Sequence, residues 1–264
     1  PTVQATRSNY NQVHGGKPTT YLDYFKNNYK KIILVDQLQS EQGTRFYKKR
    51  NRNIIIKVEN DTLNEIEPNY CWLTLRQINS LLLLDNVINM DARSVISSID
   101  LIPNNLTSTK EINISQISRI IKDNISISSS QLEICVDFIH SSHPNSITYH
   151  PYKELLVELT KHKFDYYKRT TLIPLNKVNS WSYNNGNISH NTNKYFSVIG
   201  VRVTAERREV SFWDQPIIKQ EYSGTSGFLK KIINGSSHVL VHYKMECGFI
   251  DSFEVAPTVQ CVAE

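Results

Sequence analysis

The sequence predicts an α+β domain in which helices cover one side of a mainly antiparallel sheet. Three observations carry this. Residues 70–165 repeat apolar side chains at the spacing of amphipathic helices, residues 166–260 alternate apolar with polar side chains and are rich in Val, Ile, Phe and Tyr, and the two kinds of pattern are segregated along the chain. The 264 residues, with net charge +5 and 39% hydrophobic side chains, suffice for one large domain or two small ones. No apolar run approaches the ~20 residues of a membrane helix and no secretory leader pattern opens the chain, so a cytoplasmic protein is expected. Cys71, Cys135, Cys247 and Cys261 form no CxxC pair, which predicts free thiols rather than a zinc site or a disulfide framework.

In chain order, Tyr21–Phe25 reads as a helical turn, and Lys31–Leu38 (KIILVDQL) and Asn53–Val58 (NIIIKV) read as strands. Between them lies the polar stretch QSEQGTRF, followed by the basic run Lys48–Arg52, a solvated or phosphate-facing loop rather than a nucleic-acid patch in so weakly basic a chain. Leu75, Ile78 and Leu82 mark one helix, a break follows at Asp85-Asn86, and Ala92, Val95, Ile96 and Ile99 mark the next. Ile114, Ile117 and Ile121 suggest a further stripe. Ser130 and Glu133 form a capping-box pattern opening a helix with Leu132, Cys135, Val136 and Ile139 inward. Pro151 suits a first helical turn before Leu155, Leu156 and Leu159, and Asn104–Lys110 and Asn124–Ser129 are linkers by composition. Thr170–Leu175 is expected as a strand, and Trp181–Tyr183 with Ile188–His190 as a hairpin around Asn185-Gly186. Asn234-Gly235 is a second turn of the same kind within Tyr195–Gln260.

Counting alternate residues through this last region sorts the side chains by face. Val239, Val241, Tyr243 and Met245 share one side, while His238, Leu240, His242, Lys244 and Glu246 share the other, which is too polar for a core. A Lys and a Glu two positions apart lie roughly 7 Å apart along a strand, near enough to act on one small molecule. The plain alternative is a solvated face with a weak ion pair. Glu246, Lys244 and His242 are the candidate acid–base groups, with Tyr243 in reserve if the parity is inverted.

Familiar catalytic signatures are missing: there is no P-loop, GxGxxG, GxSxG or HExxH. His140 and His143 have a spacing that suits a metal but lack a carboxylate partner, and no metal is predicted. The tetrapeptide PTVQ at residues 1–4 recurs at 257–260, suggesting a duplicated unit with a period of roughly 250 residues and a sequence cut from a longer protein.

Several segments together, YFSVIGVRV, REVSFWDQPIIKQ, HVLVHYKMECGFIDSFEVAPTVQC, PTVQATRSNYNQVHGG, VDQLQSEQGTRF, KKRNRN and CWLTLRQINSLLLLDNVINMDARSVIS, resemble the NDP-4-keto-6-deoxyhexose 2,3-dehydratases. The resemblance implies a Nudix-like core in two tandem repeats, a homodimer, and removal of the C2 hydroxyl from a nucleotide-linked hexose, TDP-linked by expectation, without a redox cofactor, nucleic acid or membrane. It implies that residues 1–60 close a first repeat, 61–165 form the helical part of the second, and 166–264 its β-rich core. The matched QSEQG makes Glu41 a second candidate base. For the nucleotide sugar, Trp213 and Tyr10 are candidates to stack on the base, Arg7, Arg45, Arg93 and Arg208 to hold the diphosphate, and Gln215 and Gln220 to bond sugar hydroxyls. Core packing for Trp213 and a solvated face for each Arg are the alternatives. A non-catalytic sugar-nucleotide-binding or dimerisation repeat is the competing function. The strands near Lys31–Leu38 and Asn53–Val58 are further expected to dock on the 166–256 sheet and carry Glu41 and Arg45 towards Lys244 and Glu246, the alternative being that residues 1–60 pack loosely on the helices.

Overall fold

A computed structural model of the chain describes residues 19–26, 32–58, 66–99, 119, 128–142, 146–206, 210–220 and 222–262. The architecture is α+β, with four helices and twelve mostly short strands among these residues. It divides into two compact units that interleave in sequence. The first is Pro1–Gln39, Arg50–Ile99 and Thr171–Glu221, and the second is Ser40–Lys49, Asp100–Thr170 and Tyr222–Glu264.

In the first unit, a 3-10 turn at Leu22–Phe25 precedes strand β1 (Ile32–Ser40, its last residue in the second unit), which pairs with β2 (Arg50–Lys57). Arg52 forks onto Asp36 across this pair, and buried Asn53 donates from Nδ2 to Gln39 Oε1 at 2.7 Å. Helix α1 (Leu75–Leu82) starts where Thr74 and Gln77 close a capping box: the Thr74 hydroxyl accepts from Gln77 N, and Gln77 Oε1 accepts from Thr74 N at 2.9 Å. Helix α2 (Met90–Ser97) is capped by Asn89, whose side chain accepts from Ala92 N, and packs on β2. Strands β3 (Trp181–Asn184), β4 (Asn187–His190), β5 (Ser197–Thr204) and β6 (Phe212–Lys219) form an antiparallel four-stranded sheet in that order. Asn185 and Gly186 both take positive φ, 52° and 79°, the mirror-image turn that a right-twisted two-residue hairpin needs.

In the second unit, β7 (Gly224–Gly227) pairs with β12 (Val259–Val262), β8 (Lys230–Ile233) with β9 (Ser236–Val239), and β10 (Val241–Met245) with β11 (Phe253–Pro257), all antiparallel. Helix α3 (Ser129–Ser141) lies on β9 with Leu132 buried, tied to β8 by Lys230–Asp137 at 2.6 Å. Helix α4 (Tyr152–Asp165), with Pro151 at its N-cap, lies on β11, and its His162 ring packs with its centroid 4.6 Å from that of Tyr243 and, edge to face, 5.9 Å from that of Phe253. Phe253, 7% exposed, anchors this small core.

Four expectations change. The helices are not one block on one sheet in the chain's division: α1 and α2 belong to the first unit, α3 and α4 to the second, and the described strands make five separate sheets. Thr170–Leu175 is not a strand. Pro174 lacks an N–H to donate, Leu172 and Ile173 are exposed, and the segment leads into a 3-10 turn at Leu175–Lys177. Helix α3 begins at Ser129, so Ser130 lies inside it instead of capping it. The 238–246 run is also not one strand. It bends at Leu240, whose N–H donates to Leu229 O at 2.9 Å, and Thr258 clasps the corner by accepting from Leu229 N and donating to Leu240 O. Ile114, Ile117, Ile121 and His143 fall outside the described residues.

Candidate active site

The β10–β11 hairpin sets the site by its two faces. Register partners share a face, so Tyr243 with Val255 and Met245 with Phe253 point to α4, while Lys244 with Glu254 points to the opposite side. That opposite side is polar yet covered. Glu246, the first residue after β10, is only 6% exposed and meets Lys244 Nζ through Oε1 at 2.8 Å. The Lys244 side chain, 19% exposed, also donates to Gln260 Oε1 at 2.9 Å. A carboxylate this buried persists only when paired, and Lys244 supplies the pairing.

The cover comes from residues 40–49. Gly248 N donates to Gly43 O and Lys48 N to Gly248 O, both at 2.7 Å, and Cys247 Sγ reaches Gly43 O at 3.3 Å. The approach requires glycine on both sides: a Cβ on Gly43 would sit 2.6 Å from the Phe249 ring and 2.9 Å from Glu246 Cβ, and one on Gly248 only 1.9 Å from the Phe46 carbonyl oxygen. Glu41, two residues before Gly43, has a side chain 6% exposed and bonded to Lys49 Nζ at 3.0 Å. Ser40 Oγ donates to Glu254 Oε1 at 2.5 Å, placing the start of this loop beside the cross-strand partner of Lys244. The second unit thus holds two ion pairs on adjoining segments, Lys244 with Glu246 and Lys49 with Glu41, and Glu254 lies opposite Lys244 in the hairpin. Strands β1 and β2 pair with each other; the piece of this hairpin that reaches Glu246 is the loop, by backbone bonds to a turn and not by strand addition.

The other predicted residues are scattered, some beside this cluster and some in the first unit. Tyr243 is on the α4 side of the hairpin, away from Lys244, so the two do not face one small molecule. His242, two residues before Lys244 on β10, shares its side of the hairpin and is exposed there. His238 accepts at Nε2 from Tyr149 N at 3.0 Å, which leaves Nδ1 to donate to Ser236 O and makes it a structural link. Arg45 is exposed and its N–H closes the loop turn onto Gln42 O. In the first unit, Trp213 Nε1 donates to Gln215 Oε1 at 2.7 Å, so two predicted sugar-nucleotide contacts are neighbours on β6, and Gln220 is half-buried just beyond it. Arg93 spends its guanidinium on the Ile88 and Leu82 carbonyls, joining α1 to α2. Arg7, Tyr10 and Arg208 lie outside the described residues. Across β5–β6, Arg202 forks onto Asp214 with both bonds at 2.9 Å; these hydrogen bonds hold the Asp214 carboxyl below the usual aspartate range and raise Arg202. Among the described residues no group of three or more His, Cys, Asp or Glu is arranged to hold a metal ion.

Residues 1–99 and 153–264 match the family model described as NDP-hexose 2,3-dehydratase. The chain belongs to this family. It is 38% identical over 265 residues to the dTDP-4-dehydro-6-deoxy-alpha-D-glucopyranose 2,3-dehydratase of Saccharopolyspora spinosa, covering 99% of this chain and 50% of that protein. Proteins of the same description from Amycolatopsis orientalis and Streptomyces violaceoruber are 34% and 33% identical, each over 99% of this chain, and 46% and 52% of their own lengths. The chain thus spans about half the length of the curated relatives it matches.

All segments of the polar cluster fall inside the stretches matched to the NDP-hexose 2,3-dehydratase family, whereas α3 falls in the unmatched 100–152. Within this family member the second PTVQ copy has a visible task. Pro257 ends β11, Thr258 clasps the Leu240 corner, Val259 pairs with Gly227, and Gln260 holds Lys244. Glu254, Gln260 and Ser40 adjoin the candidate site and are residues that sequence reasoning missed. The alternation of FEVAP could have flagged Glu254, but only the β10–β11 register puts it opposite Lys244.

Proposed function

We propose that the polar face of β10–β11 is the acid–base centre of a sugar-nucleotide 2,3-dehydratase that acts on an NDP-4-keto-6-deoxyhexose in 2-deoxysugar biosynthesis. The C4 ketone acidifies the C3 hydrogen. Glu246 takes that proton, and the electron pair moves into the C4 carbonyl as an enolate. The enolate then reforms the ketone and expels the C2 oxygen, which leaves as water with a proton from Lys244. The resulting C2=C3 double bond carries the C3 hydroxyl, and this enol converts to a C3 ketone. The single observation behind this reading is a buried carboxylate paired at 2.8 Å with a lysine that still contacts a polar surface through Gln260. Glu41 is the second candidate base, and Trp213, Gln215 and Gln220, with Arg7, Arg45, Arg208 and Tyr10, are the proposed contacts to base, diphosphate and sugar.

The finer organisation proposed is a cytoplasmic homodimer of tandem Nudix-like repeats, in which residues 1–60 close the first repeat, 61–165 are the helical part of the second and 166–264 its core. The paired PTVQ copies support a duplication. A second reading, a non-catalytic repeat that binds the sugar nucleotide or dimerises, is favoured by the mutual neutralisation of Glu246 and Lys244 under the 40–49 loop. Turnover of dTDP-4-keto-6-deoxyglucose by the full-length protein separates them. Glu246→Gln and Lys244→Met should each lower kcat about 10²–10⁴-fold with KM within about threefold, as expected for groups acting in the transition state. Unchanged kcat in both variants establishes the non-catalytic reading.

A further inference from the structure

The turn that carries Glu246 is held from behind by the segment that follows α4. Lys168 Nζ donates to three backbone carbonyls: Glu246 at 2.9 Å, Phe249 at 3.0 Å and Asp251 at 3.4 Å. Thr170 Oγ1 donates to a fourth, that of Cys247, at 3.0 Å. Lys163 adds an ion pair with the Asp251 carboxylate at 2.7 Å. Residues 246–251 make little internal bonding of their own beyond Phe249 N to Glu246 O at 3.3 Å. Partly buried carbonyls need donors, and an ammonium has three protons for the three oxygens that converge on it. With those protons committed to the backbone, Lys168 is not available to the substrate, and any influence on the reaction passes through Glu246.

We propose that Lys168 is a positioning residue for the proposed elimination: it fixes the backbone where Glu246 leaves β10 and so aims the carboxylate at Lys244, with Thr170 as its auxiliary. The 40–49 loop bonds the same turn at Gly248, so the Glu246 backbone is clamped from two sides. Displacing a reacting group by about 1 Å costs on the order of 10²-fold in rate even when the change is remote from the chemistry. This inference rests on Glu246 being the base.

The test uses the full-length protein and dTDP-4-keto-6-deoxyglucose. Lys168→Met should lower kcat about 10²-fold with KM within about threefold, measured well below the variant's melting temperature, and Lys168→Arg, which keeps a cation with several N–H donors, should recover most of that loss. A purely structural lysine would alter thermal stability and leave kcat per folded molecule unchanged; that result, or a rise in KM accounting for the whole effect, overturns the proposal. Should Lys168→Met fail to fold, Thr170→Val removes one hydroxyl only, and a kcat drop of about fivefold is expected; an unchanged kcat overturns the proposal there too. Glu246→Gln run in parallel separates the two levels. If it is silent, the reading of Glu246 fails and Lys168 falls with it, whereas an inactive Glu246→Gln beside a fully active Lys168→Met refutes the Lys168 inference alone.

Discussion

Replacing Gly248 by Ala should undock the 40–49 loop. The added methyl would lie 1.9 Å from the Phe46 carbonyl oxygen, 2.5 Å from the Gly43 oxygen and 2.9 Å from the Phe46 carbonyl carbon, whereas ordinary contact begins at 3.4 Å. All three obstacles are backbone atoms, so no side-chain rotation relieves them, and the loop must retreat by about 1.5 Å. That retreat stretches both 2.7 Å bonds, Gly248 N to Gly43 O and Lys48 N to Gly248 O, beyond hydrogen-bond length. At about 1–3 kcal/mol for each bond lost from a buried site, the docked loop is destabilised by about 2–6 kcal/mol. Limited trypsinolysis reads this directly, because Arg45, Lys48 and Lys49 lie in the loop and become cleavable when it leaves. Gly43→Ala should be milder, since its nearest clash is the Phe249 ring, which can turn. Gly227→Ala meets nothing within 4 Å and serves as the neutral control. A Gly248→Ala protein cleaved at the wild-type rate, with an unchanged urea midpoint, would refute the docking argument.

The remaining predictions concern stability. Phe253→Ala, which removes a buried ring from its contacts with His162 and Tyr166, should cost about 3–5 kcal/mol in urea denaturation. Asp214→Asn should be mildly destabilising at neutral pH and low salt. The folded carboxyl lies below its unfolded value because Arg202 hydrogen-bonds it, so the contribution is complete above the unfolded aspartate range near pH ~4 and disappears as pH falls through the depressed folded value. Because the pair is exposed, added salt should shrink the difference between Asp214→Asn and wild type, as measured by thermal melts.

What was legible in the sequence was local. The two Asn-Gly turns, the helix containing Leu75, Ile78 and Leu82, and the hairpin alternation each depend on neighbours a few residues away, and the structure has them near the expected positions. The division into units was illegible because it depends on contacts among segments far apart in the chain: ten residues, Ser40–Lys49, leave the unit of their flanking strands and join the other. Helical periodicity shows that α1 to α4 each have an apolar stripe, but nothing in a stripe says which sheet it covers.

The same limit explains the site. Parity correctly separates Tyr243 from Lys244 because both sit within β10, and it loses meaning for His238, which precedes the bend at Leu240 and belongs to β9. Polarity alone left a solvated face as the plain alternative for Lys244 and Glu246. It is covered instead, because Gly43 and Gly248 allow two backbones to approach more closely than any other residue pair would permit, a property a glycine in a sequence does not announce until its partner is known. Lys168 is the extreme case. Its sequence neighbours mark it as one more surface lysine, and the role proposed for it follows from three carbonyls 78, 81 and 83 residues downstream that converge on its ammonium. Residues that support another through the backbone are thus harder to find than the one they support, since the chemistry proposed for Glu246 is written in its side chain and the support proposed for it is written in the fold.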